Sequence, residues 1–163
     1  MHRRRVVVTG IGALTPIGNT KDAFWNGLVS GTSGAAPITH FDASKFKTQF
    51  ACEIKNFDAQ EHFDRKEARK MDRFTQYAMV ASDEAVHDAG LDLEKIDKAK
   101  VGVIWGSGVG GLETFQNEVL NFASGEGTPR FNPFFIPKMI ADIAPGMISI
   151  KYGFRGPNFA TVS

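Results

Sequence analysis

The sequence predicts an α/β fold in which strands and helices alternate around a mainly parallel sheet. Short apolar runs rich in β-branched residues recur along the 163-residue chain, for example at residues 5–11 and 101–105. Stretches with apolar residues at three- and four-residue steps lie between these runs, as expected for amphipathic helices. Strands that alternate with helices in this way are typical of a parallel sheet covered by helices.

The first third of the chain predicts a strand followed by a helix. Residues 5–11 form an apolar, β-branched run, which favours a central strand covered on both faces. A helix is expected to begin near Asn19 or Thr20, because either side chain can cap it, and to end at Ser30 before Gly31. Its buried stripe would contain Phe24 and Leu28. Residues 49–54 are a candidate strand in a less regular segment.

Residues 64–89 predict a second helical region with one apolar face. That face consists of mostly small residues at helical spacing: Phe74, Tyr77, Ala78, Ala81, Ala85 and Ala89. Small side chains there would let another element approach closely, and Gly90 would terminate the helix.

The second half of the chain repeats the strand, turn and helix pattern. A strand at 101–105, a glycine-rich turn and a helix to about residue 124 would be followed by a loop at 125–137. A helix is expected over 138–152, kinked or divided by Pro145. The β-branched run at 158–163 predicts a last buried strand, and a domain rarely stops at such a strand. We therefore expect the chain to be the front part of a larger protein.

Composition excludes several classes of protein. A formal net charge of +1 argues against a nucleic-acid-binding protein. The single cysteine, Cys52, excludes an internal disulfide and offers no metal-ligand spacing, so we expect a cytoplasmic protein without a metal or other cofactor. The apolar residues that follow the basic start are interrupted too soon for a signal peptide, and no apolar run is long enough for a membrane span.

The glycine-rich turn at residues 106–111 has the G-x-G-x-x-G pattern between a strand and a helix. Such a turn can bind a dinucleotide, but that function also needs an acidic residue about 20 positions further on. The region around Phe131 is instead an aromatic loop segment, residues 131–135, without an acidic residue. A tight turn that combines close packing with the lining of a pocket is therefore favoured over nucleotide binding.

Basic residues predict one charged surface within the second helical region. Lys66, Arg69, Lys70 and Arg73 lie at i, i+3, i+4 and i+7, so a continuous helix would align them on one face. Asp64, Glu67 and Asp72 are interspersed, so an ordinary solvated face is one interpretation. The other is a docking surface for an acidic partner.

Two further features have ordinary structural interpretations. Phe131, Phe134 and Phe135 favour packing beneath a loop. Cys52 favours an inert core residue over a nucleophile, since none of the four histidines lies in a motif near it.

Several segments together resemble the β-ketoacyl-acyl-carrier-protein synthases, the condensing enzymes of fatty-acid synthesis, and most closely those of the chain-elongating type. These segments are the opening at 4–10, Pro16 to Asn19, the basic segment 65–72, the glycine-rich turn, 133–137 and 152–157. The resemblance implies a thiolase-like fold, layered αβαβα in the full protein, of which this chain would be most of the N-terminal half. It implies acyl carrier protein as the partner and a homodimer formed by antiparallel pairing of the strand at 158–163 with its two-fold mate.

The resemblance also implies roles for individual residues. Val109 and Phe135 would contact the acyl chain, with Phe135 reaching into the partner subunit's tunnel. Lys66, Arg69 and Lys70 would dock the carrier protein, together with Arg130 from the second subunit. Arg73 is left out of this surface, because Asp72 can cap a new helix and interrupt the face. In the family the nucleophilic cysteine, two histidines and a lysine lie beyond residue 163, so the polypeptide 1–163 is expected to be inactive alone.

Overall fold

A computed structural model describes residues 4–125 and 130–162. Six α-helices, two short 3-10 helices (Ala59–Glu61 and Lys98–Lys100) and four strands occur in these two segments. The helices are α1 (Lys21–Val29), α2 (Arg65–Ala68), α3 (Arg73–Asp88), α4 (Leu112–Ser124), α5 (Phe135–Met139) and α6 (Ile143–Tyr152). The strands are β1 (Ala36–Pro37), β2 (Phe50–Ala51), β3 (Val103–Ser107) and β4 (Asn158–Val162).

The chain forms two compact units. The first contains residues up to 58 together with 80–91, and the second contains 59–79 together with residues from 92 onward. Helix α3 begins in the second unit and ends in the first.

Helix α1 of the first unit has the predicted ends. The Thr20 hydroxyl accepts a hydrogen bond from the Ala23 N–H at 3.2 Å, and Ser30 is the C-terminal cap. The predicted buried stripe is wrong, because Leu28 is exposed and Phe24 is only half-buried. Gly27 is the buried residue, and a Cβ there would lie 2.8 Å from the Ile17 carbonyl oxygen. The helix therefore packs through its backbone at a residue without a side chain.

The prediction of a central strand at residues 5–11 is wrong, because the structure has no strand there. These residues pair with no other strand in the described segments, and Val6 and Val8 are 92% and 82% exposed. β-Branched composition favours an extended backbone, but a strand also needs a neighbouring strand to complete its hydrogen bonds.

Segment 10–13 lies against α3 in the first unit. The Ile11 N–H donates to Asp88 at 2.9 Å and the Ala13 N–H donates to Glu84 at 2.8 Å. A Cβ on Gly12 would lie 1.8 Å from the Ala81 carbonyl oxygen. The small face of α3 thus admits a neighbouring backbone, as predicted.

The predicted helical region over 64–89 is divided in two at Asp72, the residue that was expected to be able to cap a new helix. Helix α2 forms a single turn, with Asp64 accepting hydrogen bonds from the Lys66 and Glu67 N–H groups. Helix α3 begins after Asp72, whose side chain accepts a hydrogen bond from the Phe74 N–H at 3.3 Å. This local cap starts a new helix and ends the alignment of the four basic residues. The predicted terminator is confirmed, since Gly90 has a φ of +60° just after α3.

The second unit contains the parallel pair of strands that the sequence predicts. Strands β3 and β4 are paired in parallel, with Val103 opposite Asn158 and Ser107 opposite Val162. A core formed by Met71, Ala78, Met79, Ala144 and Ile148 packs with the half-buried Val103 and Trp105 of β3. The α/β class is therefore confirmed, and β1 and β2 form a separate antiparallel pair in the first unit.

The predicted helix over 138–152 begins earlier and divides at a different place. Helix α5 starts at Phe135, inside the predicted loop, and the chain leaves helical geometry at Ile140, where ψ is 138°. Pro145 lies in the first turn of α6, where the missing N–H breaks no helical hydrogen bond. The division is therefore upstream of the proline. Residues 126–129 of the predicted loop, and Ser163 of the predicted last strand, lie outside the described residues.

Candidate functional site

The glycine-rich turn joins β3 to α4 through close backbone packing. Gly110 has a φ of +89°, and a Cβ on Gly111 would lie 2.3 Å from the Lys138 carbonyl oxygen. The Gly111 N–H donates to the Met139 carbonyl oxygen at 2.9 Å. A pyrophosphate at this helix N-terminus would need free N–H groups pointing toward it. The turn is thus occupied by the chain's own backbone, which supports the packing interpretation of the glycine motif.

A largely apolar cavity of about 470 Å³ lies beside this turn. It is lined by Val109, Leu112, Phe115, Met139, Ile140, Ala141, Asp142, Ala160 and Val162. The Asp142 carboxylate accepts a hydrogen bond from the Ala160 N–H at 2.9 Å. Cavities of this size with an apolar lining and few polar groups are typical of small-molecule sites. Val109 therefore lies in the wall of a cavity that suits an apolar ligand.

Phe135 belongs to a series of stacked aromatic rings next to this cavity. Its ring centroid lies 6.3 Å from that of Phe115 and 5.5 Å from that of Phe131. The ring of Phe131 stacks in turn on Phe122, with centroids 5.0 Å apart. The aromatic series, meaning Phe115, Phe135, Phe131 and Phe122, thus reaches the cavity through Phe115.

The predicted docking residues lie at the surface of the second unit. Lys66 is in α2, Arg69 caps the end of that helix, and Lys70 follows in the turn before α3. All three are exposed, as is Arg130. The ammonium nitrogen of Lys70 lies 5.6 Å from the centroid of the Phe134 ring, which is a cation–π distance. The basic segment thus contacts the residue next to Phe135.

A partly buried hydrogen bond connects the end of this basic segment to α4. The hydroxyl of Thr114, which is 8% exposed, donates to Asp72 Oδ2 at 2.5 Å. The Gln76 side-chain amide donates to the Ala68 carbonyl oxygen at 3.0 Å, which holds α2 against α3. These polar contacts position the basic segment relative to the helix that carries Phe115.

Burial changes the ionisation of one nearby group. It raises the pKa of the Tyr77 hydroxyl, and the Arg73 guanidinium opposes part of this increase. The phenol therefore stays protonated at neutral pH and retains its hydrogen-bond donor.

Sequence reasoning missed Phe115, Thr114 and Asp142. Phe115 is one of many apolar residues in α4, and only the packing of α5 against α4 shows its ring stacked on Phe135. Asp142 could have been noticed in the sequence, because an aspartate just before a helix often caps its N-terminus. In the structure its side chain does not cap α6 and instead accepts a hydrogen bond from the Ala160 N–H of β4.

Other reactive side chains form no separate site in the described structure. Cys52 is exposed, so its predicted place in the core is wrong; it follows β2, which has a partner on one side only. Across residues 4–125 and 130–162, no three side chains of the metal-binding types come together. No helix in the same two segments is long and apolar enough to cross a bilayer.

Proteins of similar sequence were found over the whole chain. The chain is 45% identical over 163 residues to a 3-oxoacyl-[acyl-carrier-protein] synthase 2 from Synechocystis sp. strain PCC 6803. It is 47% identical over 162 residues to a 3-oxoacyl-[acyl-carrier-protein] synthase 2 from Staphylococcus aureus strain COL. These alignments cover 100% and 99% of this chain but 39% of each relative. The chain thus spans about two fifths of the length of these relatives.

Solved structures of similar fold agree with the sequence relatives. The ishigamide ketosynthase/chain length factor matches 99% of this chain and 40% of its own, with a TM-score of 0.86 and 28% identity. A type II polyketide ketosynthase in complex with its acyl-carrier protein matches 99% of this chain and 41% of its own, with a TM-score of 0.75 and 27% identity. The predicted thiolase-like fold is therefore confirmed. The profile of the β-ketoacyl synthase N-terminal domain matches residues 3–163, so the chain belongs to the β-ketoacyl synthase family and corresponds to its N-terminal domain.

Proposed function

We propose that the protein is a condensing enzyme of fatty-acid synthesis. It would join an acyl group to a malonyl group, each carried as a thioester by an acyl carrier protein, and release 3-oxoacyl carrier protein. The relatives named 3-oxoacyl-[acyl-carrier-protein] synthase 2, which match essentially the entire chain, support this proposal.

The observation that carries the proposal is the contact between Lys70 and Phe134. Lys70 belongs to the exposed basic segment, and Phe134 adjoins Phe135, whose ring stacks on the cavity residue Phe115. A surface that suits an acidic carrier protein therefore adjoins an apolar cavity that suits an acyl chain. An enzyme that receives an acyl group from a carrier protein needs this combination.

The chemistry proposed for the complete protein has two stages. A cysteine thiolate, which the family resemblance places beyond residue 163, attacks the acyl thioester and releases the carrier thiol. Malonyl carrier protein then loses carbon dioxide, and the resulting carbanion attacks the cysteine thioester. The new carbon–carbon bond forms as the thiolate leaves, while two histidines and backbone donors stabilise the negative charge that develops. The residues of this chain would bind the acyl chain and dock the carrier.

The first test compares the polypeptide 1–163 with the protein expressed from its complete reading frame. Acyl and malonyl carrier protein are supplied, and 3-oxoacyl carrier protein is measured by mass spectrometry. We expect product from the complete protein and none from residues 1–163. Absence of product from the complete protein would contradict the proposed reaction, and turnover by residues 1–163 would contradict the assignment of the thiolate to a later segment.

The second test measures the affinity of the complete protein for acyl carrier protein after charge reversal. Replacing Lys66, Arg69 and Lys70 by Glu should abolish detectable binding, because like charges would face the acidic carrier. The control is a second triple variant with the same charge change at three exposed lysines elsewhere, Lys45, Lys47 and Lys55. Equal loss of affinity in both variants would mean that net charge, and not this surface, governs binding.

Arg130 and β4 extend the proposal to a homodimer. Among the described strands, β4 is paired on one side only, and Phe159 and Val162 are 44% and 59% exposed. An unpaired strand edge is a template for pairing with a second chain. We expect light scattering to give the mass of a dimer for the complete protein, with Arg130 of one subunit serving the docking surface of the other. A monomeric mass would refute this assembly.

A further inference from the structure

A polar recess of about 220 Å³ lies beside the basic segment, between the start of α3 and the helices α4 and α5. Its charged lining consists of Asp72, Arg73, Glu113 and Lys138. Two positive and two negative side chains make the recess neutral in formal charge. Whether it attracts an anion or a cation therefore depends on which of these charges are already satisfied by contacts within the chain.

Asp72 and Arg73 are both engaged by neighbouring groups. The two oxygens of the Asp72 carboxylate accept hydrogen bonds from the Phe74 N–H and from the Thr114 hydroxyl. The Arg73 guanidinium donates a hydrogen bond to the Tyr77 hydroxyl. These two charges are thus committed to contacts inside the protein.

Lys138 and Glu113 carry the remaining charges of the recess. Within residues 4–125 and 130–162, neither side chain forms a salt bridge. Lys138 is half-buried, whereas Glu113 is exposed. A half-buried ammonium group without a carboxylate partner is positioned to pair with a carboxylate from another molecule.

Lys138 continues the basic segment onto α5. The Lys138 N–H donates to the Phe134 carbonyl oxygen at 2.9 Å, so the two residues are one helical turn apart on the same face. The Phe134 ring lies 5.6 Å from the Lys70 ammonium nitrogen. A partner that contacts Lys70 therefore meets Phe134 next and then Lys138.

We propose that Lys138 is a docking residue for the acidic surface of the acyl carrier protein, and that Glu113 opposes this contact within the same recess. The inference rests on the proposed function and extends its docking surface from α2 to α5. A carboxylate of the carrier would pair with the Lys138 ammonium group, while the Glu113 carboxylate would repel it. Removing either charge should therefore change the affinity for the carrier, in opposite directions.

The test uses the protein expressed from its complete reading frame and measures its Kd for acyl carrier protein by calorimetry, at low and at high salt. Lys138→Met removes the ammonium group and keeps an unbranched apolar side chain, so it should weaken binding about fivefold at low salt. Glu113→Gln should strengthen binding about twofold. Both effects should shrink at high salt, because ions screen exposed charges, whereas an effect of packing would persist.

Matched variants separate this contact from general effects of charge and packing. Lys47→Met and Glu94→Gln make the same two changes at exposed residues outside the recess, and each should leave Kd unchanged. Lys138→Arg keeps the positive charge and should retain most of the wild-type affinity.

The outcomes distinguish this inference from the proposed function. Wild-type affinity in Lys138→Met would overturn the inference, as would a loss that persists at high salt or a Glu113→Gln variant that binds no more tightly than the wild-type protein. If the wild-type protein condenses acyl and malonyl groups while Lys138→Met binds the carrier normally, the inference fails and the proposed function stands. If the wild-type protein does not bind the carrier, both fail.

Discussion

Replacing Thr114 by Val tests how the basic segment is held against α4. The two side chains have nearly the same shape, so the substitution removes a hydroxyl and adds a methyl group without opening a cavity. The lost contact is the hydrogen bond at 2.5 Å from Thr114 to Asp72 Oδ2. Thr114 is buried and Asp72 is half-buried, so water can replace this bond only in part.

The expected loss follows from the charge of the acceptor. A hydrogen bond to a charged group contributes about 1.5–3 kcal/mol to folding stability, more than a bond between neutral groups. The same carboxylate also accepts the Phe74 N–H at the start of α3, so part of its hydrogen bonding survives the substitution. We therefore expect Thr114→Val to lower the free energy of unfolding by about 2 kcal/mol.

The assay is urea unfolding of the complete protein, followed by circular dichroism. The control is Thr48→Val, which makes the same substitution at an exposed threonine outside the proposed dimer edge. This control should change the free energy of unfolding by no more than about 0.5 kcal/mol. A loss in Thr114→Val no larger than that of the control would refute the assignment of a stabilising bond. A double-mutant cycle with Asp72→Asn would then separate the pair from its surroundings.

Three further substitutions test the local packing and electrostatics. Gly111→Ala should lower the free energy of unfolding by about 1–3 kcal/mol in urea titrations, because its Cβ would lie 2.3 Å from a carbonyl oxygen of α5. Gly108→Ala is the control and should leave that free energy unchanged, because a Cβ at Gly108 would enter open space. Thr20→Ala should cost about 1 kcal/mol in the same assay, because it removes the cap of α1, and an unchanged urea midpoint would contradict that role. Hydrogen bonds from the Lys21 ammonium group and the Ile11 N–H hold the pKa of Asp88 below its ordinary value. The contribution of the Asp88 carboxylate to folding stability is therefore fully present above the pKa of about 3.9 that an aspartate has in the unfolded chain. This contribution is lost as the pH falls through the lower pKa that Asp88 has in the folded protein. Asp88→Asn should remove this acid-dependent loss from urea midpoints measured over a pH series, and an unchanged pH dependence would show that Asp88 is not its source.

Elements with their own local signals could be predicted from the sequence. Helix α1 begins after Thr20 because the Thr20 hydroxyl accepts a hydrogen bond from the N–H of Ala23, only three residues further along the chain. Helix α3 ends near Gly90 because glycine adopts a positive φ at low cost. The family resemblance placed Val109 and Phe135 at the acyl site. In the structure Val109 lines the cavity, whereas Phe135 lies outside the lining and stacks on Phe115. The roles of these two residues in acyl binding stay predictions.

Errors arose where distant residues decide the local structure. Residues 5–11 have the composition of a strand, but composition supplies no neighbouring strand, and in the described structure these residues pair with none. The division between α2 and α3 could be anticipated, because Asp72 is able to cap a helix. Its hydrogen bond to Thr114, which is 42 residues away along the chain, leaves no periodic signal in either segment.

The amino-acid order alone determined the α/β class, the helix boundaries set by local caps and the family to which the chain belongs. Side-chain spacing and cap chemistry act over a few residues, so they can be read without coordinates. The tertiary structure decided which side chains meet: Phe115 with Phe135, Lys70 with Phe134, and Thr114 with Asp72. These contacts join residues from separate elements, and their positions follow from how the helices pack around β3 and β4, which no local pattern specifies.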